Sequence, residues 1–407
     1  MSEEISDGKA ERLLSLDALR GVIMVTLISH GLGLAQTAKK LGHWPEPGNE
    51  SFSAHLWNTI AFHTSHAPWN AQFYLFGIAY WDLIQVGFMF MVGVAMPYSF
   101  ASRRAKGHSE KKLIVHAAWR ALLLILLGVF LQTRNTLESS NVFTNVLTQI
   151  GLGYFLIYFL LGRKFKTQLI TGIVALAGFW LLQITWPVPG ELPPKASASM
   201  ETLSTPESVS ARFAQGTNVG ADFDRWLLNL FPRKKEFVEN AGGYVTLNFL
   251  PSAVTMLMGV MAGQLLRSGR SEREKLRKLL FSAAVCMGIA VVASYTICPA
   301  IKKIWTPGWT LYSGAWLLAL LAAFYFVIDM KGWKKWTWPF VIVGLNPLAA
   351  YLMSMLFRRW VNDRMDVYLG EGIAASPYAP TWYALGGLIF YWLICLYLHR
   401  RGWYIRV

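Results

Sequence analysis

The chain has 407 residues, of which 54% are hydrophobic and only 15% charged, and its formal net charge is +15. Its length would accommodate two or three soluble domains, yet apolar runs of about 20 residues, the length that crosses a hydrocarbon layer, recur along nearly all of it. The excess of Lys and Arg does not indicate a nucleic-acid partner either, because these residues lie mostly between the apolar runs rather than on one face of a soluble unit.

The first segment, MSEEISDGKAERLLSLD, is polar and acidic, unlike a secretory leader with its basic start and small-residue cleavage site, so the first apolar run is expected to be retained. Spans are expected at about 21–37, 81–100, 113–132, 145–161, 168–186, 246–266, 279–298, 310–328, 338–357 and 383–398. Hydrocarbon cannot satisfy a bare backbone, so the spans must be helical. The fold class expected is all-α: a polytopic integral membrane bundle of about ten transmembrane helices, one membrane-embedded domain over 1–407.

With a cytoplasmic N-terminus, the inside segments collect Arg103, Arg104, Lys106, Lys111 and Lys112, then Arg163, Lys164 and Lys166, then the basic cluster of 267–278, and finally Lys331, Lys334, Lys335, Arg400 and Arg401. Every short inside loop is then basic, which places both termini in the cytoplasm and the chain in the inner (plasma) membrane. Two segments on the other side, about 38–80 and 187–245, are long enough to fold over the membrane, and loops of that length usually carry function. Trp57, Trp69, Trp81, Trp305, Trp309 and Trp382 near span ends fit interfacial anchoring. Cys286, Cys298 and Cys395 show no metal spacing and are read as packing residues.

Ionisable or amide groups at membrane depth are costly and usually face a cavity, which singles out His30, His66, Asp82, His116, Arg120 and Asn346. Asp82 opens the second span as a helix cap or as the partner of an imidazole. Four histidines, His43, His55, His63 and His66, crowd the first outer segment, but Cys and nearby carboxylate ligands are missing and no metal is expected. A carboxylate beside one of these rings would fix its tautomer and suit it to act as a base or acyl acceptor. Arg120, about two turns into the third span, either snorkels to the inner interface or binds phosphate; His116 and the basic loop 103–112 would widen the same funnel for an anionic cofactor. Asn346-Pro347 breaks the ninth span, with the amide filling the gap that proline leaves.

Several segments resemble the transmembrane N-acetyltransferase family typified by heparan-alpha-glucosaminide N-acetyltransferase. They are RLLSLDALRGVIMVTLI, HAPWN followed by WDLIQVGFMFMVGVAMPYS, AAWRALLLILLG, NVLTQIGLGYF, LPSAVTMLMGVMAGQLL, the KKIWTPGWTLYSGAW block and PFVIVGLNPLAAYLMS, in family order from about residue 12 to 355. The resemblance implies acetyl transfer across a membrane, from cytosolic acetyl-CoA to an amino sugar or glycan acceptor on the far side. It carries the family's catalytic His to His66, the supporting carboxylate to Asp82 and a third-span Arg to Arg120, with His116 and Asn346 as further candidates for holding the cofactor. In this chain FYLFGIAY lengthens the interval between His66 and Asp82, and Gln149-Ile150 stands where relatives carry Gln-Arg. Membrane lipid is the other expected contact, and a homodimer is compatible with these spans.

Two other readings stay open. An acyltransferase type three-like O-acyltransferase would use His30, nine residues after Gly21. A transporter of sugars or lipid-linked sugars would also suit many helices with kinks and polar groups at depth.

Overall fold

The computed structural model describes residues 13–45, 51–66, 69, 78–135, 143–370 and 372–405. Among them no strand occurs, and the helices are α1 (Leu14–Ile28), α2 (Leu34–Lys40), α3 (Phe52–His63), α4 (Tyr80–Ala105), α5 (Glu110–Thr133) and α6 (Val146–Tyr158), followed by α7 (Phe165–Thr185). The long second segment carries α8 (Pro194–Glu201), α9 (Glu207–Ser210) and α10 (Val219–Leu228). Then come α11 (Phe249–Arg267), α12 (Glu272–Thr296), α13 (Pro307–Phe324), α14 (Trp338–Leu345), α15 (Pro347–Leu369), α16 (Gly372–Ala375) and α17 (Ala379–Arg400). The acidic stretch before residue 13 and most of FYLFGIAY lie outside the described residues.

Helix starts follow side-chain chemistry. Ser109, Ser271 and Asn145 each accept a backbone N–H from the first turn of the helix they precede, α5, α12 and α6 respectively. Breaks are equally local. At His30–Gly33 four consecutive residues have φ between 49° and 64°, which no α-helix tolerates, and α1 and α2 diverge by 42°. Asn346-Pro347 turns α14 from α15 by 70°, the break expected in the ninth span.

Among the described residues seven helices are long and apolar enough to cross a membrane, or nine when each of the two bent pairs counts as one span. Each of the ten apolar runs in the sequence is helical, but α6 has only 13 residues, short of the roughly 20 that a span needs, so the described residues do not confirm the expected count of ten.

The centre of the bundle is α4 against α11, each 67% buried over its apolar window, whereas α5, α7, α12 and α17 are 17–28% buried and turn residues such as Leu126, Ile173, Phe281 and Ile389 outward. Lipid tails are as apolar as these side chains, so close helix contact here depends on small residues. A Cβ at Gly93 would collide with the Met256 carbonyl, one at Gly259 with the Phe90 carbonyl and one at Gly263 with the Val94 carbonyl. The same device joins α1 to α14, where Gly21 abuts the Phe340 carbonyl and Gly344 the Asp17 carbonyl.

At one end of the bundle, where α4, α11 and α13 begin, the two long segments pack on each other. Trp69, Phe213, Val245, Cys298, Ile301 and Ile304 form a separate apolar core, and the Trp69 indole donates to the Phe213 carbonyl at 3.2 Å. The other end gathers the basic connections after α4, α6, α11 and α17.

Candidate active site

Three elements converge beneath the two long segments. Tyr80 and Trp81 open α4, and Asp82, in its first turn, is buried with its side chain 5% exposed. Between α12 and α13 the chain makes a tight loop. The Thr306 hydroxyl accepts from Trp309 N and Ile301 N and donates to the Pro299 carbonyl, while Pro307 takes the first helical position. Asn248 fastens the same loop by donating to the Lys303 carbonyl at 2.8 Å. This geometry points Lys302 inward, 8% exposed. His66 follows α3 and its short turn, and its side chain remains 51% exposed.

The three side chains meet. His66 Nδ1 lies 2.8 Å from Asp82 Oδ1, Lys302 Nζ donates to the same oxygen at 2.9 Å, and Lys302 Nζ lies 3.0 Å from His66 Nδ1. A carboxylate only accepts and an ammonium only donates, so Nδ1 cannot serve both neighbours; in the tautomer with Nδ1–H the ring donates to Asp82, Lys302 donates to the same carboxylate, and the contact between Lys302 and Nδ1 is no hydrogen bond. The free electron pair of the ring then resides on Nε2. The buried charges of Asp82 and Lys302 cancel, so the half-exposed imidazole rests on a neutral, fixed base. Trp81 and Tyr244 flank the ring edge-on, each 6.3 Å between centroids, and the Lys302 ammonium sits 5.7 Å from the Tyr244 ring.

Lys302 and Lys303 show how much this placement matters. Burial works against the Lys302 ammonium, but Asp82 and Tyr244 outweigh it and hold its pKa above the ordinary lysine range. Burial pushes the neighbouring Lys303 down, and there the more distant carboxylate does not compensate. The stability that Lys302 gains from this pairing is therefore fully present at neutral pH and is lost only as pH rises through its elevated pKa.

The other sequence candidates are not in this cluster. Arg120 lies near the basic end, its guanidinium 4.9 Å from the centre of the Tyr154 ring and 3.5 Å from its hydroxyl, with Nε buried and unpartnered. One turn earlier His116 packs on Phe100, and its Nε2 is likewise buried without a partner. Both residues stand on α5, one turn apart. Asn346 is fully occupied otherwise: its amide donates to the Trp403 carbonyl at 3.1 Å and accepts Ile405 N at 2.9 Å, fastening the C-terminal tail at the α14–α15 break. His30 sits apart from His66 and contacts Arg358.

Lys302 is the residue that reading the sequence missed. It stands in the KKIWTPGWTLYSGAW block, which carries the family resemblance, but a lysine between spans looks like a topology signal, and its partners lie 220 and 236 positions away.

The second long segment is tied to the bundle by another buried acid. Asp224 in α10 accepts Thr246 N with both oxygens, and the Thr246 carbonyl accepts from Gln149 in α6. Burial raises the Asp224 pKa to about 6, against the hydrogen bonds from Thr246. A raised carboxyl pKa means that the folded chain holds the proton longer, so stability falls as pH rises from about 4 to 6, by roughly 3 kcal/mol for a shift of this size. Asp224→Asn should remove this dependence. Thermal midpoints in detergent are expected to coincide for variant and parent near pH 4 and to favour the variant above pH 6; parallel profiles would exclude Asp224 as the cause.

Fold and cluster together define a multi-pass helical membrane protein with a tethered, half-exposed imidazole at one end of its bundle. No family model matches the sequence. The chain is 24% identical over 391 residues to the heparan-alpha-glucosaminide N-acetyltransferase of Homo sapiens and 23% identical over 399 residues to that of Mus musculus, each alignment covering 86% of the chain. It is thus a distant relative of these proteins, and it spans about half of their length, 53% and 54%.

Proposed function

We propose that the chain is a transmembrane acetyltransferase that moves the acetyl group of acetyl-CoA to the amine of a sugar, with His66 as base or acetyl carrier. The observation that carries this reading is the half-exposed His66 ring whose Nδ1 is held by the buried Asp82–Lys302 pair. The names of the two relatives supply the reaction class and the amino-sugar acceptor. Two chemical routes suit Nε2: it removes a proton from the attacking amine, or it attacks the thioester, expels the CoA thiolate and gives up the acetyl group to the amine. Asp82 and Lys302 act as positioning residues in both.

The basic end supports a cytoplasmic site for CoA. Arg120 and the loop from Arg103 to Lys112 offer charge suited to phosphates, with the unpartnered His116 ring nitrogen beside them, and short basic connections favour the cytoplasmic face of a plasma membrane. In this orientation both termini are cytoplasmic and the His66 end faces outward, so donor and acceptor approach from opposite sides. The Asn346 amide, taken up by the tail, supports the fold beside this region rather than the cofactor itself.

The test is a transfer assay on the purified full chain in detergent, with labelled acetyl-CoA and a panel of amino sugars. Acetylated sugar and a raised thermal midpoint with CoA are expected. Arg120→Gln should raise the KM for acetyl-CoA about tenfold or more, with little change in kcat, as loss of a charged phosphate contact does. No product with any amino sugar, together with no stabilisation by CoA, would sink the proposal.

A further inference from the structure

A cavity of about 270 Å³ opens between the α1–α2 break, the second half of α15 and the first turns of α17. Its wall includes His30, Lys40, Arg358, Asn362, Tyr383 and Tyr391. It shares no side chain with the His66 cluster, and Trp81 stands between the two: a Cβ on Gly31 would meet the Trp81 ring at 3.3 Å, while the same indole packs edge-on against His66.

The polar groups around this cavity are unmet in one direction. Arg358 can only donate, so its 3.2 Å contact makes His30 Nδ1 an acceptor and leaves the proton of the neutral ring on Nε2. That Nε2 is buried without a hydrogen-bond partner. The hydroxyl of Tyr391, a residue only 1% exposed, is also without one. Among the described residues Arg358 forms no ion pair; the nearby carboxylate of Asp366 already accepts from the Tyr383 hydroxyl. Lys40 adds a second cation at the rim. Buried donors lacking acceptors are rare in native proteins, and here they cluster in one roomy site of net positive charge.

The backbone around the site is strained as well. His30 and Leu32 hold φ of 49° and 55°, a left-handed region that side-chain-bearing residues seldom adopt. Strain of this kind concentrates where a chain is shaped around a ligand. Gly33 completes the bend, at a point where a Cβ would collide with the Pro380 carbonyl of α17. The broken end of α1 is thereby pressed onto α17, with His30 at the cavity wall.

We propose that this cavity binds the oxyanion of a small molecule, a carboxylate or phosphate group on a sugar-sized head, with Arg358 as its counter-ion and His30 Nε2–H and Tyr391 O–H as further donors. An oxyanion accepts several hydrogen bonds at once and donates none, which is the complement of what the wall offers. The assignment gives His30 a binding role and does not depend on acetyl transfer at His66.

Titration calorimetry on the purified full chain in detergent would use glucuronate, inorganic phosphate and, in nanodiscs, phosphatidylglycerol, with glucose as the neutral control. Saturable binding by at least one anion and none by glucose is expected, and the responding probe tells a soluble acid, a free phosphate or a lipid headgroup apart. Arg358→Gln should weaken that binding about tenfold or more, and Tyr391→Phe, which keeps the ring and its packing, severalfold. Should Arg358→Gln fail to fold, Tyr391→Phe and the rim variant Lys40→Gln provide the same readout. His66→Ala should leave the affinity unchanged, separating this site from the transfer reaction. Absence of binding by all three anions, equal binding of glucose, or affinities untouched by Tyr391→Phe and Lys40→Gln would overturn the proposal.

Discussion

Replacing His66 by alanine is expected to lower acetyl transfer to an amino sugar by about 10²- to 10⁴-fold, the usual contribution of a positioned acid–base or nucleophilic group. The fold should be indifferent to the change. The ring is half exposed, and removing it leaves the 2.9 Å contact between Lys302 and Asp82 in place, so no buried charge is stranded. The thermal midpoint should therefore move by no more than about 0.5 kcal/mol would produce, as for most surface substitutions. This separation is the decisive feature, since a merely structural histidine would lose stability and rate together. The same protein distinguishes the two routes for His66. Labelled acetyl-CoA without acceptor should leave a burst of label on the parent enzyme, absent from His66→Ala, if Nε2 carries the acetyl group. Unlabelled protein in a competent enzyme points to the base route. A His66→Ala variant that retains the parent's turnover would refute the assignment outright.

Hydropathy alone placed every apolar helix, because burial in lipid imposes one long-period rule on each run of sequence. It did not reveal that α1 and α2 form one bent segment or that α6 is too short to cross the layer by the usual measure. The Asn346-Pro347 break was visible because proline acts locally, whereas the bend at His30–Gly33 depends on left-handed φ at His30 and Leu32, residue types that do not announce it. Asp82 stood out as a carboxylate opening an apolar helix. His66 stood out less by chemistry than by the motif around it, since three other histidines share its segment. Lys302 had no local signal of its own: what gives it a role is a tertiary contact with Asp82, made possible by the Thr306-capped loop. Composition marks the cost of burying a charge, but only the fold shows which charge repays it.

The second large effect follows from that pairing. Lys302→Met should destabilise the chain by about 3–5 kcal/mol, because it leaves the Asp82 carboxylate buried beside an apolar side chain. Asp82→Leu should cost a similar amount by stranding the ammonium, whose remaining neighbours, the His66 and Tyr244 rings, carry no negative charge. The double variant removes both charges at once and should recover most of the loss, since an apolar pair of similar size needs no hydrogen bonds there. A double-mutant cycle on thermal midpoints or denaturant resistance in detergent measures this coupling, and additive effects would show that the two residues do not form the buried pair. Activity should follow a different pattern. The double variant, although folded, lacks the acceptor that fixes Nδ1–H, so its imidazole is free to rotate and to present either tautomer. Transfer should stay low in all three variants, in kcat more than in KM, because what is lost is orientation of the reacting group rather than affinity for the donor. Stability restored without activity is the result that would assign Asp82 and Lys302 to positioning the ring, since a pair needed only for folding would return both.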